Sequence, residues 1–176
     1  MPSIDLKASP ELVAKLGPKF RQAAGRALYS AALRGISKIQ TELILAASPS
    51  PVDRGLYRAG WRAEPYLSGS ELGGADIYNV EAHAAFIERG VRPANVKIGS
   101  AMLAALAEWA KRKGLDGAGT ARGARQVAWA IARSMKRRGI FKGGTGLRVL
   151  EKLMTLHMPG IVREEFAREA AAALRA

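Results

Sequence analysis

The chain contains no cysteine and only two histidines. The first absence excludes disulfides, thiolate zinc ligands and a thiol nucleophile, and it fits a reducing compartment. The second leaves little material for imidazole chemistry. His83 and His157 fall in different stretches, and neither sits beside the serine and carboxylate that a triad requires. No H-x-x-x-H, H-E-x-x-H or acidic-loop pattern occurs, so no metal ligands are predicted. The acidic residues are thinly spread, which leaves little from which to build a two-metal site. Glycine loops fail as phosphate cradles. The spacing from Gly139 to Gly144 is followed by Thr145 where a P-loop needs lysine, and Gly117-Ala118-Gly119 runs on to Arg122 rather than a third glycine. No catalytic, cofactor-binding or metal-ligating residue is predicted, and no enzyme is expected. Long apolar runs are missing too. The longest, Ala101 to Ala107, is far below the roughly 20 residues of a membrane span. Met1 to Lys7 lacks a charged region followed by an apolar one, so no secretory leader is expected.

What is present is a basic, globular composition. Of 176 residues, 48% are hydrophobic, and 28 Lys and Arg face 15 Asp and Glu for a net charge of +13. The length suits one domain, 1–176. After an N-terminal arm over 1–17, with a short helical lead-in from Ser9-Pro10-Glu11, the spacing predicts a long helix over 18–47. Its apolar positions Phe20, Ala24, Leu28, Ala31, Ile36, Ile39 and Leu43 recur near every 3.6 residues. Ser48-Pro49-Ser50-Pro51 stops it.

Residues 55–91 then turn to strand-forming texture. Gly55–Leu67, Ala75–Val80 and Ala84–Arg89 read as strands, with Ser68-Gly69-Ser70 and Gly73-Gly74 as turns. A helical pair is predicted over 99–139, the first helix capped by Ser100 and the second running from Ala124 to Arg138 with Gly139 as its stop. A helical tail fills 147–176. The fold class is therefore α+β: a long N-terminal helix packed on a small antiparallel sheet of three to four strands, followed by two to three helices. Trp61, Trp109 and Trp129 all read as core anchors.

Charge is the uneven feature. Eleven Lys and Arg lie between Lys111 and Arg148, opposed only by Asp116. Cations at helix C-termini complement the dipole, but that many exceed what capping needs. A surface facing DNA or an acidic partner is expected, made by Arg133, Lys136, Arg137 and Arg138 with Lys142 on the next loop. No helix-turn-helix or zinc finger accompanies it, so contact would be with the backbone rather than with base sequence.

Three stretches carry a resemblance. Val52-Asp53-Arg54-Gly55-Leu56-Tyr57-Arg58-Ala59-Gly60-Trp61 resembles a V-D-T-G-x-L-R-x-S-W pattern. Ile77-Tyr78-Asn79-Val80 and Ala84 to Pro93 resemble V-x-N followed by Y-A-x-x-V-E-x-G-T-R-P. Ala128 to Gly139 is similar to A-x-A-I-A-R-x-I-x-x-R-G. These patterns are those of the tailed-phage tail-completion or neck (head–tail joining) proteins, related to the lambda-type minor tail protein Z. Arg54 and Val91 depart from the usual threonines, and an R-P-F-L segment is missing near Gly143 to Leu147.

The resemblance implies a structural virion protein at the head–tail junction, made in the host cytoplasm, forming a homo-oligomeric ring, a hexamer, around the DNA channel. Its implied partners are neighbouring neck and tail proteins and double-stranded DNA held without sequence specificity, with no membrane. Docking loops are expected at Asp53 and Arg54 and at Gly143 and Gly144. Alternatives are a tail terminator or stopper ring, or a free sequence-independent DNA-binding protein.

Overall fold

The structure is a computed structural model that describes residues 3–7, 17–47, 55–68, 71–115, 117–141 and 144–175. The fold is α+β. The chain divides into two compact units, 1–88 with 148–176, and 89–147.

The first unit is built on helix α1, Pro18–Lys38, which has Gly17 at its N-cap and proline at its first position, where the missing N–H costs nothing. A π-helical turn, Ile39–Leu43, continues it. The small residues Ala23, Ala24, Ala27, Ala31, Ala32 and Gly35 are all buried, so the helix backbone approaches its neighbours closely. A one-turn helix α2, Leu56–Ala59, comes next. Strand β1, Ser3–Lys7, strand β2, Trp61–Ser68, and strand β3, Glu71–Asn79, form an antiparallel sheet in the order β1-β3-β2. Trp61 pairs with Asn79 and Ala63 with Ile77, while Ile4 pairs with Ile77 from the other side. Ala75, Ile77 and Asn79 are buried and alternate with half-buried Asp76 and Tyr78, the two-residue period of a one-faced sheet. Pro65 is accommodated because β2 is an edge strand.

Four expectations change here. Leu56–Ala59, expected as part of a strand from Gly55 to Leu67, is a single helical turn, and β2 begins only at Trp61. Four residues are too few to show a helical period. Ala84–Arg89 is not a strand but a short helix, α3. Six residues mixing apolar and charged types are too few to reveal their period. The third strand comes instead from the N-terminal arm. Gly73 and Gly74 belong to β3, not to a turn, and Gly74 pairs with Tyr66. The helical lead-in at 9–16 lies outside the described residues.

Helix α6, Val149–Lys152, a π-helical turn Leu153–His157 and helix α7, Met158–Arg175, complete this unit. Packing of α7 on α1 is antiparallel, because Arg26 meets Glu169 whereas Arg34 meets Glu164 and Glu165. At the crossing, a Cβ on Gly35 would stand 3.0 Å from Met158 Sδ.

The second unit is a helical hairpin. Helix α4, Ser100–Arg112, has Gly99 rather than Ser100 at its N-cap, and no side chain caps it. Helix α5, Ala121–Arg138, begins three residues earlier than the spacing predicted, because Thr120 Oγ1 accepts from Gly123 N at 3.0 Å. Ala107, Ala110, Ala118, Ala124 and Ala128 form the seam, with Leu103, Leu106 and Trp109 packed around them. The turn before α5 is closely packed. A Cβ on Gly123 would fall 1.7 Å from the Gly117 carbonyl oxygen. Gly139 ends α5 with φ of 78°, a left-handed value natural to glycine.

Candidate nucleic-acid interface

The outer face of α5 concentrates the charge. Of the residues in 89–147, 13 are Lys or Arg and 2 are acidic, so this unit carries +11 of the net +13. Helix α5 itself has no acidic residue. Its buried positions, Ala124, Ala128 and Ala132, are four apart and turn the arginines outward. Arg122, Arg125, Arg133 and Arg137 are exposed and, at 100° per residue, lie within one third of the helix circumference. None of them meets a carboxylate among the described residues.

Trp129 stands in the middle of this row. It is 45% exposed, with the Arg133 guanidinium 5.7 Å from its ring centre, a cation–π distance. The expectation that all three tryptophans anchor the core is corrected here. Trp61 is 1% exposed and Trp109 packs in the hairpin seam, but Trp129 faces outward. The signal was readable. Residues four before and four after Trp129 are Arg125 and Arg133, and a core position does not sit between two arginines on one helix row.

The predicted site residues separate into four groups. Arg133, Arg137 and Arg138 are exposed on α5. Lys136 is committed elsewhere in its own unit, donating through Nζ to the Val96 carbonyl at 2.9 Å, so it ties α5 to the extended segment after the 3-10 turn Pro93–Asn95. Lys142, Gly143, Asp53 and Arg54 lie outside the described residues. Gly144 is buried with φ of 91°, and a Cβ there would stand 2.8 Å from Arg92 Cα. Paired backbone hydrogen bonds between Val91 and Ile140 hold the same segments together.

A second polar cluster lies in the other unit. Glu88 is buried; its Oε1 accepts from the Tyr57 hydroxyl and its Oε2 from the Leu150 backbone N–H at 3.1 Å. The Tyr57 carbonyl accepts from Asn79 Nδ2 at 2.9 Å, and Asn79 Oδ1 accepts from the Glu81 N–H at 3.0 Å. Burial first, then the neighbouring Glu88 charge, push the Tyr57 hydroxyl far above the ordinary phenol value, so it stays a donor. Tyr57 and Trp61 meet edge to face at 5.8 Å. Every carboxylate oxygen and amide of this knot has an internal partner, which suits a fastening rather than a reaction centre.

Elsewhere, a groove of about 390 Å³ lies between the two π-helical turns, lined among others by Arg34, Lys38, Glu42, His157 and Glu164. Its charges already pair with one another: Lys38 with Glu42 at 2.6 Å and Arg34 with Glu164 at 2.8 Å. His83 is exposed and 3.6 Å from Glu81 Oε2. No cluster of three or more metal-ligating side chains occurs among the described residues. No helix among them is long and apolar enough to cross a membrane. Set against family models, curated proteins and solved structures, the chain matches none of the three.

Proposed function

We propose that the chain is a non-catalytic structural protein of a tailed-phage neck, completing the tail and joining it to the head as a ring around the DNA channel. The observation that carries this reading is the Tyr57–Asn79–Glu88 knot. Tyr57 comes from the first stretch of the resemblance and Asn79 and Glu88 from the second, and each is another's hydrogen-bond partner. Short motifs that interlock in space support a shared fold better than motifs that merely follow one another in sequence. A ring protein of this kind needs rigid elements, loops that dock and a lumen compatible with DNA. Symmetric rings arise from one heterologous contact repeated by rotation, and a hexamer would share the sixfold symmetry of a tail. DNA in the channel would be held without reading its sequence, chiefly by charge.

The test is the composition of purified particles. Mass spectrometry and antibody labelling should find the chain in few copies at the head–tail junction, and its deletion should leave filled heads and uncompleted tails unjoined. Absence from particles would overturn the reading. A terminator or stopper position within the same neck would be told apart by the neighbours it touches in a reconstruction. The second reading, a free sequence-independent DNA-binding protein, is favoured by the +11 charge of 89–147; abundant chain on host DNA and none in particles would select it.

A further inference from the structure

We infer that the outer face of α5 is a nucleic-acid backbone site, in which Arg122, Arg125, Arg133 and Arg137 contact phosphates and Trp129 lies against sugar or base. This deepens the DNA contact of the proposed neck role and rests on that reading only for its biological setting.

Three observations converge on it. The first is linearity. From Arg122 to Arg137 is fifteen residue steps, about 22 Å at 1.5 Å per residue, along one face without an acidic residue. A run of one sign with no counter-charge matches a phosphate chain, whose charges are all alike. Protein interfaces also favour arginine and tryptophan, so it is the single sign repeated along the row, not the residue types, that points to a phosphate chain. The second is placement. Arg122 and Arg125 occupy the first five residues of α5, whose first turn carries no acid. Cations there oppose the positive end of the helix dipole. A stability rationale would put acids at that end, so the arginines are held there against the helix's own preference.

The third is Trp129. A large aromatic 45% exposed, with Arg133 over its ring at 5.7 Å, is a stacking platform already flanked by phosphate-binding groups. Base–aromatic stacking beside a basic track is how single strands are held without sequence preference. On a duplex the same indole would offer only its edge. The shared chemistry is therefore the phosphodiester backbone, and strandedness sets how much Trp129 contributes.

Labelled 25-nucleotide DNA, single-stranded and as a duplex, would be titrated with the purified chain by fluorescence anisotropy across a salt series. The triple variant Arg125→Gln, Arg133→Gln, Arg137→Gln should weaken binding at least tenfold near 0.1 M salt. It should also lower the slope of log affinity against log salt by between about 2 and 3, at roughly 0.7–0.9 per phosphate contact. Trp129→Ala should weaken single-strand binding by about 5- to 150-fold, in keeping with roughly 1–3 kcal/mol per stacked base, and duplex binding less.

The control is Lys152→Gln, Arg163→Gln, Arg175→Gln, which removes the same charge from exposed positions of the other unit. An equal loss in this control would mean that net charge alone binds, and the site would be overturned. So would unchanged binding in the α5 triple variant, or polyglutamate of matched charge competing as well as DNA, which would make the face an acidic-protein site. Far-ultraviolet circular dichroism would verify the fold of each variant. Particle content scores the neck role and anisotropy scores this site, so either can fail alone.

Discussion

Arg26, Arg34 and Arg168, in the unit formed by 1–88 and 148–176, all end on carboxylates of α7, whereas Arg122, Arg125, Arg133 and Arg137, in 89–147, end on none among the described residues. The first unit nearly balances its charges, 15 Lys and Arg against 13 acids; the second sets 13 against 2. Paired arginine secures one helix against another. Unpaired arginine of one sign on one face does nothing for packing, and its repulsion works against the helix that carries it. Total charge alone, spread evenly over 176 residues, would have hidden that difference.

The comparison predicts that polar substitutions cost most where groups are buried and mutually paired. Glu88→Ala strands the Tyr57 hydroxyl and the Leu150 N–H in the interior. At about 1–3 kcal/mol for each unsatisfied group, a loss of about 3–5 kcal/mol is expected in urea unfolding. Glu88→Gln, which keeps the shape and one acceptor, should lose less than half of that. Equal losses would mean that side-chain volume, not hydrogen bonding, matters at this position.

Next comes backbone packing in the basic unit. Gly123→Ala would place a methyl 1.7 Å from the Gly117 carbonyl oxygen, so the turn must shift at a cost of about 1–3 kcal/mol. Amide exchange should speed up over 114–124. Gly35→Ala meets only the far end of Met158 at 3.0 Å and of Leu153 at 3.2 Å, flexible side chains that can move, and should cost less than Gly123→Ala.

Much of the fold is legible in the sequence, and what is not has physical causes. The apolar stripe of α1, proline at its start and Gly139 after α5 all declare themselves locally. Ser3-Ile4-Asp5-Leu6-Lys7 alternates as a strand should, yet pairing with a strand seventy residues away is not a local property. The α3 segment failed because six residues do not carry a period. Trp129 reads as core because Ala128 and Ile131 lie beside it, whereas its i−4 and i+4 neighbours, Arg125 and Arg133, place it on the exposed row. Lys136 was beyond sequence, since its partner is a backbone carbonyl forty residues away. The Glu88 knot was visible only as a motif, with no indication that its residues would meet.

Smaller effects probe the paired arginines. Glu165 is 2% exposed, with Oε1 accepting from Arg34 at 2.8 Å and Oε2 held 2.5 Å from Arg168 as an ion pair without hydrogen-bond alignment. The hydrogen bond to Glu165 first, then that to Glu164, holds the Arg34 guanidinium above its ordinary value. Glu165→Ala removes the buried acceptor and leaves two arginines that can rehydrate, so a loss of about 1–2 kcal/mol is expected, smaller than that for Glu88→Ala. Beside it, the Arg26 hydrogen bond, foremost among its causes, holds the Glu169 carboxyl below 4.5. A carboxyl with a lower pKa folded than unfolded binds fewer protons when folded. Its stabilisation is complete above about pH 4.5 and is lost as pH falls through the folded value. Arg26→Gln should therefore flatten the stability profile below pH 4.5. A profile parallel to that of the unsubstituted chain would show the pair to be a surface contact without energetic weight.

The smallest effect has the opposite sign. Arg122 lies in the first turn of α5, where the unsatisfied N–H groups make the helix end positive. Replacing it by glutamate removes a cation from the wrong end and adds an anion at the right one. Arg122→Glu should therefore raise stability by about 0.3–1 kcal/mol at low salt, with the gain shrinking as salt screens it. The matched change in the other unit, Arg34→Glu, should destabilise, because it sets a carboxylate against Glu165. Thermal unfolding of both at 20 mM and 500 mM salt reads the two signs directly. A loss of stability in Arg122→Glu would mean that this arginine has a structural partner after all, and the contrast between paired and unpaired cations would fail at the residue where it is sharpest.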